Sequence, residues 1–254
     1  MKSQHSLWTE EELRVAIEAY LYILYLQQHG VSFSSSETAC LLISGPLRGR
    51  NEASIRYRMR NISWVLREQG WPIIKGYSPA QGVGRNVAVK IQNILDKLPA
   101  ALPFRKKDLH AVSFRNKAKP FVQEDVAKSL EKLGASLGDI SASRAGIGHN
   151  NPPEPLDEAD SLQRDLVQLR DEVEKLTIEI RKKSPDRKRL KKGSGFLVQS
   201  GLKIVLWLGG RFTKFADAAV ISIGKALGAV TIAKITGLLP LITDALHALI
   251  GIHG

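Results

Sequence analysis

Apolar residues recur at steps of three and four positions along most of the chain, the spacing that places them on one face of an α-helix. Near the start, such a face follows a capping-box pattern, in which Thr9 precedes Glu12 by three residues. The face consists of Leu13, Ala16, Ile17, Tyr20, Leu21 and Leu24. Because glycine commonly ends helices, the pattern predicts a first helix between Thr9 and Gly30.

Two further helices are predicted before residue 70. The segment SETACLLISGPL predicts a second helix that Ser36 caps and that ends before Gly45. A third helix begins near Asn51 and ends before Gly70. Its apolar stripe, with steps of four, three and four residues, consists of Ile55, Met59, Ile62 and Leu66.

The next segments alternate between helical and irregular patterns. A turn-rich loop leads into a helix from about residue 85 to 98, which completes a helical head over residues 1–98. Residues 99–140 are interpreted as a basic helical extension, with a helix from about Val122 to Leu133. Residues 141–156 are rich in Gly, Ala, Ser and Pro and lack periodicity, which predicts a flexible linker.

A heptad-like repeat follows within residues 157–183. Its apolar positions alternate steps of three and four residues and are Ala159, Leu162, Leu166, Leu169, Val173, Leu176 and Ile180. Charged residues lie between them, a pattern typical of a coiled coil or of the seam of a helix bundle. We expect the positions from Leu162 to Ile180 to mediate self-association into a homo-oligomer. The alternative is that this helix folds back on another helix of the same chain.

The remaining chain changes composition sharply. Residues 184–195 predict a basic hinge, broken by Pro185 and ending in a flexible Gly-Ser-Gly. Residues 196–254 form an apolar, amphipathic helical tail. The predicted fold class is therefore mainly α, with a trihelical, helix-turn-helix or Myb-like head, a linker, a coiled-coil helix and the helical tail.

The tail raises the question of a membrane. Seven charged residues interrupt it, and its charge-free stretches reach only about ten residues, short of the roughly 20 that a conventional span needs. We predict amphipathic helices that lie on or insert into an anionic inner membrane. The alternative is a bundle that packs on itself or on a helical protein partner. The residues assigned to membrane or hinge contacts are Arg187, Lys188, Arg189, Lys191, Lys192, Trp207, Gly224 and Gly228.

Charge narrows the choice of partner. The 254 residues carry a net charge of +12, which favours a polyanion. Residues 48–120 hold 16 basic and four acidic side chains, whereas residues 154–180 hold three basic and nine acidic ones. Cys40 is the only cysteine, so no intramolecular disulfide can form and a reducing, cytoplasmic location is expected.

The third helix concentrates the basic charge. Residues 47–62, LRGRNEASIRYRMRNI, contain five arginines, and arginine suits forked contacts with phosphate or guanine. The alternative is an ordinary solvated face, but such faces usually mix in more acids. The candidate nucleic-acid-binding residues are Arg48, Arg50, Arg56, Arg58, Arg60, Arg67, Lys75 and Arg85.

Catalytic patterns are absent from the sequence. The six histidines are scattered, the GVGRN segment lacks the Gly-Lys-Ser/Thr ending of a phosphate loop, and no nucleophile elbow occurs. The sequence therefore predicts no catalytic residue, no metal ligand and no cofactor, and a protein that is not an enzyme; the alternative is a cryptic nuclease whose scattered residues converge in three dimensions.

The strings WTEEEL and LRGRNEASIRYRMRNI resemble the Myb/SANT-like pattern, in which a tryptophan opens the first helix and a Gly-Arg turn precedes an arginine-rich third helix. Residues 7–98 also resemble an N-terminal module of bacterial proteins that carry restriction-type histidine–asparagine–histidine nucleases downstream. The resemblance implies a DNA-associated head in which Arg56, Arg58 and Arg60 face the nucleic acid. Where those proteins carry a nuclease this chain does not, so cleavage is not implied.

Two functions fit these patterns. In the first, a bacterial nucleic-acid sensor is coupled through the coiled coil to a membrane-active tail, an arrangement suited to anti-phage defence. In the second, the chain is a soluble DNA-binding regulator or scaffold whose C-terminal bundle oligomerises or docks a partner. The first predicts association with the inner membrane, and the second does not.

Overall fold

The computed structural model describes residues 7–31, 35–98, 122–144, 156–217 and 225–253. All regular secondary structure in these ranges is helical, which confirms the mainly α fold class. The chain divides into two compact units, Met1–Phe114 and Arg115–Gly254. Each unit is described by itself below.

The first unit contains four helices within its described residues. They are α1 Glu10–Gln28, α2 Ser35–Ser44, α3 Glu52–Glu68 and α4 Arg85–Asp96. Helix α3 contacts the other three, and α1 also packs against α4. The fourth helix, which the sequence also predicts within residues 1–98, thus packs with the other helices of the head.

Local capping explains where these helices begin. The Thr9 hydroxyl accepts a hydrogen bond from the Glu12 backbone N–H at 3.1 Å, and the Glu12 carboxylate accepts one from the Thr9 N–H at 2.8 Å, which confirms the capping box. The Asn51 side chain accepts from the Ser54 N–H at 2.8 Å and caps α3. The prediction that Ser36 caps α2 is wrong, because the helix already includes Ser35.

Helix α1 is buried on nearly all sides. The predicted apolar face is buried, and so is the opposite side, which includes Arg14 and Glu18. These two side chains form an ion pair at 2.6 Å, and Arg14 also binds Glu11. Because burying a lone charge is costly, the pairing is what allows these residues to lie inside.

The described residues of the second unit form a four-helix bundle. Its helices are α5 Gln123–Arg144, α6 Leu156–Ile180, α7 Arg187–Asp217 and α8 Lys225–His253. Helix α6 packs between α5 and α7, and α8 contacts both α5 and α7, which closes the ring. The Gln123 side chain donates to the Ile180 carbonyl at 3.0 Å, so the start of α5 meets the end of α6 and the two run antiparallel.

Ion pairs show that α6 and α7 are antiparallel as well. Arg189, near the start of α7, pairs with Glu172 at 2.5 Å, and Lys203, further along α7, pairs with Asp165 at 2.5 Å. The residues of the heptad-like seam are all at most 5% exposed within this single chain, and they are Leu162, Leu166, Leu169, Val173, Leu176 and Ile180. The seam is therefore covered by helices of the same chain. This is the arrangement that the sequence analysis gave as the alternative to self-association.

Three predicted boundaries need correction. Helix α5 continues to Arg144, so the predicted linker over residues 141–156 starts too early, and its residues 145–155 lie outside the described residues. The predicted hinge over residues 184–195 is helical from Arg187 onwards. The tail over residues 196–254 comprises most of α7 together with α8. Residues 218–224 of the tail and residues 99–121 of the basic extension lie outside the described part of the chain.

The Gly-Ser-Gly segment is part of α7 because of how closely α7 approaches α6. A Cβ atom at Gly193 would lie 2.9 Å from Cγ of Leu176, a side chain that is itself fully buried. At Gly195, two residues further along the same helix, a Cβ atom would meet nothing within 4 Å. Gly193 thus serves close packing, and the prediction of a flexible segment is wrong there.

Within the residues that the structure describes, one helix is long and apolar enough to cross a membrane by length and composition. Its candidate stretch is Ala233–Gly251 in α8, and half of that stretch is buried inside the bundle. This corrects the expectation that no window of the tail passes such a test. A core helix of a soluble protein passes the same test, so the finding is weak evidence for membrane association.

We expect Gly193→Ala to lower the free energy of unfolding by about 1–3 kcal/mol, because the added methyl group must displace a fully buried leucine. The matched control is Gly195→Ala, which adds the same group on the open side of the same helix. It should raise stability by up to about 1 kcal/mol, since alanine favours helices over glycine. Urea unfolding followed by circular dichroism measures both, and equal effects would contradict the close packing.

Candidate nucleic-acid interface

Helix α3 separates an apolar face from a basic one. The four residues of its apolar stripe, Ile55, Met59, Ile62 and Leu66, are all 0% exposed, which confirms that prediction. Arg56, Arg60 and Arg67 are exposed and share one side, because their spacings of four and seven residues return to the same side of a helix. Arg56 has only a loose pair with Glu52 at 3.6 Å.

Arg58 and Arg50, which were also predicted to bind nucleic acid, do not lie on the exposed side of α3 that carries Arg56. The guanidinium of Arg58 lies 4.8 Å from the ring centre of Trp8, and that of Arg50 lies 5.1 Å from it. Burial lowers the pKa of Arg58, which reflects a half-buried position on the opposite flank of α3 from Arg56. Trp8 also donates to the Ser54 hydroxyl at 3.2 Å, so this cluster fastens the start of α1 to α3.

Arg50 makes a forked ion pair with Glu12. Its Nε and one terminal nitrogen donate to the two carboxylate oxygens at 2.8 and 2.6 Å, and the same terminal nitrogen donates to the Leu7 carbonyl at 3.0 Å. The hydrogen bonds from Arg50 lower the pKa of Glu12 to about 2. Arg50 therefore joins α1 to the turn before α3. Sequence reasoning assigned this arginine to nucleic-acid binding instead.

A loop over residues 71–84 runs beside the basic side of α3. The Nε of Arg60 donates to the Ser78 carbonyl at 3.1 Å, and the Ala80 N–H donates to the Arg60 carbonyl at 3.1 Å. The Tyr20 hydroxyl, 2.8 Å from the Ser63 hydroxyl, accepts from the Ile74 N–H at 3.0 Å. The loop is thus held to both α1 and α3.

The other predicted binding residues of the head are exposed. Arg48 precedes α3, Lys75 lies in the loop, and Arg85 begins α4. Their side chains are exposed, and all three lie outside α3, the helix that carries Arg56 and Arg60. The aromatic Tyr77 of the same loop is only 3% exposed and belongs to the core.

Sequence reasoning missed Tyr57. This tyrosine is 59% exposed, and it lies between Arg56 and Arg60 in the chain on the outward side of α3. An exposed aromatic ring among arginines is suited to stacking on a nucleobase. The signal was present in the sequence string IRYRMR, where a tyrosine occupies a position outside the apolar stripe.

The predicted membrane and hinge residues lie in the bundle. Arg187, Lys188, Arg189, Lys191 and Lys192 occupy the first turns of α7, and all except Arg189 are exposed. Trp207 is half-buried further along that helix. Of the predicted small-residue pair, Gly228 lies in α8 and Gly224 lies outside the described residues.

We expect Glu12→Gln to lower stability at pH 7 while keeping the capping-box hydrogen bond, since glutamine can replace glutamate in that motif. The pKa of Glu12 is lowered from 4.5 to about 2, so its pairing stabilises the fold above pH 4.5. That contribution is lost as pH falls towards 2. Urea unfolding at several pH values should show a weaker acid dependence in the variant than in the wild type.

The control is Glu68→Gln, which removes a half-exposed carboxylate beside Arg67. Because an exposed pair between neighbouring residues contributes little, we expect no measurable change. An acid dependence identical in wild type and Glu12→Gln would contradict the role assigned to the Arg50 pair.

Within the described ranges, no group of three or more His, Cys, Asp or Glu side chains is arranged to hold a metal ion. Comparison with protein-family models, curated proteins and solved structures finds no match to this chain. The argument for function therefore depends on the geometry and charge of the two units.

Proposed function

We propose that this chain is a nucleic-acid-binding protein and that the exposed side of α3 is its contact surface. The observation that carries the proposal is the division of α3 into a fully buried apolar stripe and an outward side with Arg56, Arg60, Arg67 and Tyr57. We call these four residues the arginine face.

The dimensions and charge of the arginine face suit a nucleic acid. At a rise of 1.5 Å per residue, Arg56 and Arg67 lie roughly 16 Å apart along the helix axis. Side chains spaced in this way reach successive phosphates along a groove, and a helix fits the major groove of DNA, which is about 12 Å wide. Double-stranded DNA is therefore the partner that we favour.

The second unit supports the scaffold alternative over a membrane-inserting effector. The apolar seam of α6 is already covered by its own chain, and half of the Ala233–Gly251 stretch is buried. Insertion of α8 into a bilayer would require the bundle to open. Opening would expose the apolar seam of α6 and the buried half of the Ala233–Gly251 stretch. We therefore propose a DNA-binding regulator or scaffold that forms any homo-oligomer through surfaces other than the seam.

We expect Arg56→Ala together with Arg60→Ala to weaken binding to duplex DNA and to flatten its salt dependence. Each lost phosphate contact should reduce the slope of log K against log salt by about 0.9, so the double variant should lose nearly two units. Fluorescence anisotropy of labelled DNA at several salt concentrations measures both quantities.

The matched control is Lys128→Ala with Lys132→Ala in α5. These lysines are exposed and four residues apart, and Lys128 pairs with Glu124 at 3.6 Å, the same distance as the Arg56–Glu52 pair. The control removes the same net charge in the same helical geometry, and its slope should match the wild type. An equal loss in both variants would show only a general charge effect and would refute the arginine face.

We expect Tyr57→Ala to weaken binding without changing the salt slope, because stacking releases no counterions. Loss of one stacked base costs roughly 1–3 kcal/mol, or about ten- to a hundredfold in affinity. The side chain is exposed, so the fold should be unaffected, as thermal unfolding can verify. Binding as tight as that of the wild type would exclude Tyr57 from the contact surface.

A further inference from the structure

One end of the four-helix bundle combines dense positive charge with exposed aliphatic side chains. It is formed by the turn over residues 181–186, the first turns of α7 and the start of α5. Gln123 fixes α5 to this turn by donating to the backbone oxygens of Ile180 and Lys182 at 3.0 and 3.2 Å. We call this surface the basic end.

Most cations of the basic end have no acidic partner. Three are paired: Arg189 with Glu172, Lys182 with Glu179, and Arg181 with Glu131. Five others are exposed and form no ion pair with the described residues, and they are Lys183, Arg187, Lys188, Lys191 and Lys192. The only acid between residues 181 and 192 is Asp186, whose carboxylate accepts from the Lys188 N–H at 2.8 Å. The start of α5 adds two exposed acids, Glu124, which pairs with Lys128 at 3.6 Å, and Asp125, so the surplus of positive charge lies on the turn and on α7.

These cations do not serve the stability of the bundle. Leu190 and Gly193 face the core of the bundle, whereas Lys188, Lys191 and Lys192 point away from it and Arg187 is exposed on the flank of α7. Positive side chains at the start of a helix oppose its dipole, and they repel one another. A partner that carries many negative charges would offset both costs.

The neighbouring aliphatic side chains indicate which polyanion fits. Val122 is 62% exposed beside Gln123, and Ile178 is 59% exposed one helical turn before Lys182. Branched aliphatic groups neither stack on bases nor bind phosphate. They do enter the interface between lipid headgroups and acyl chains, where basic residues beside them bind anionic headgroups.

We propose that the basic end docks the folded bundle on an anionic phospholipid bilayer. The cations contact headgroup phosphates, and Val122 and Ile178 enter the interface. The bundle stays closed, so this docking differs from insertion of α8. The inference goes beyond nucleic-acid binding and does not depend on it, because the arginine face belongs to the other unit.

The test is flotation of the full chain with vesicles. Wild type should float with vesicles that contain phosphatidylserine and phosphatidylcholine at low salt, and it should stay at the bottom with pure phosphatidylcholine. Replacing Arg187, Lys188, Lys191 and Lys192 by Gln should lower the affinity by at least about 100-fold, since each basic residue near an anionic surface contributes a factor of roughly five. Circular dichroism verifies that the variant folds.

The matched control replaces four other exposed cations of the bundle by Gln, namely Lys128, Lys132, Arg170 and Lys175. It removes the same charge and should float like the wild type, as should Arg56→Ala with Arg60→Ala. The double variant Val122→Ser with Ile178→Ser should lose the part of the vesicle binding that survives high salt, because salt screens the cations but not the aliphatic contacts.

Four results would overturn the proposal. They are no flotation of the wild type, equal flotation with uncharged vesicles, equal loss in the basic-end and control variants, and a basic-end variant that loses DNA binding while it still floats. The last result would assign the basic end to nucleic acid. Failure of the arginine-face variants in the DNA assay would leave the flotation result unaffected, so the two proposals fail separately.

Discussion

The second unit depends on covering the apolar seam of α6. A heptad-like stripe must lie against other apolar surfaces, and here a turn of six residues, 181–186, returns the chain directly along α6. The acids of α6 then meet basic residues of α7, as in Arg189 with Glu172 and Lys203 with Asp165, which favours the antiparallel alignment. Because α7 and α8 contain the apolar tail, the packing that covers the seam also buries apolar side chains of the tail that the structure describes, such as Leu202, Leu208, Leu239 and Leu246.

Much of the fold could be predicted, because periodicity and capping are local properties. The Thr9–Glu12 capping box and the buried stripe of α3 follow directly from residue order. Periodicity identifies a face but does not identify its partner, so the seam of α6 was equally compatible with another chain. The helical Gly-Ser-Gly segment was missed because intrinsic propensity favours a break, whereas the contact between Gly193 and Leu176 decides the structure.

The candidate site was predicted only in part, for a similar reason. The composition of α3 reveals how many guanidinium groups are present, and the helical angle separates Arg58 from Arg56 and Arg60. It does not reveal that Trp8 lies within 4.8 Å of the Arg58 guanidinium, since that contact joins residues fifty positions apart. The residues that suggested a Myb-like head, Trp8 and the Gly-Arg turn, thus form an internal cluster of the unit. Tyr57 was overlooked because aromatic residues are usually assigned to the core.

The bonds between Arg60 and the 71–84 loop have a spectroscopic consequence. Both the side chain and the carbonyl of Arg60 hold this loop, through Ser78 and Ala80. Trp71, half-buried, begins the same loop, and its backbone N–H donates to the Leu66 carbonyl at 2.8 Å. A ligand that draws the Arg60 guanidinium away from Ser78 removes one of the two hydrogen bonds that join Arg60 to this loop. Because Trp71 lies in the loop, its indole fluorescence is the signal in which a rearrangement of the loop can be sought.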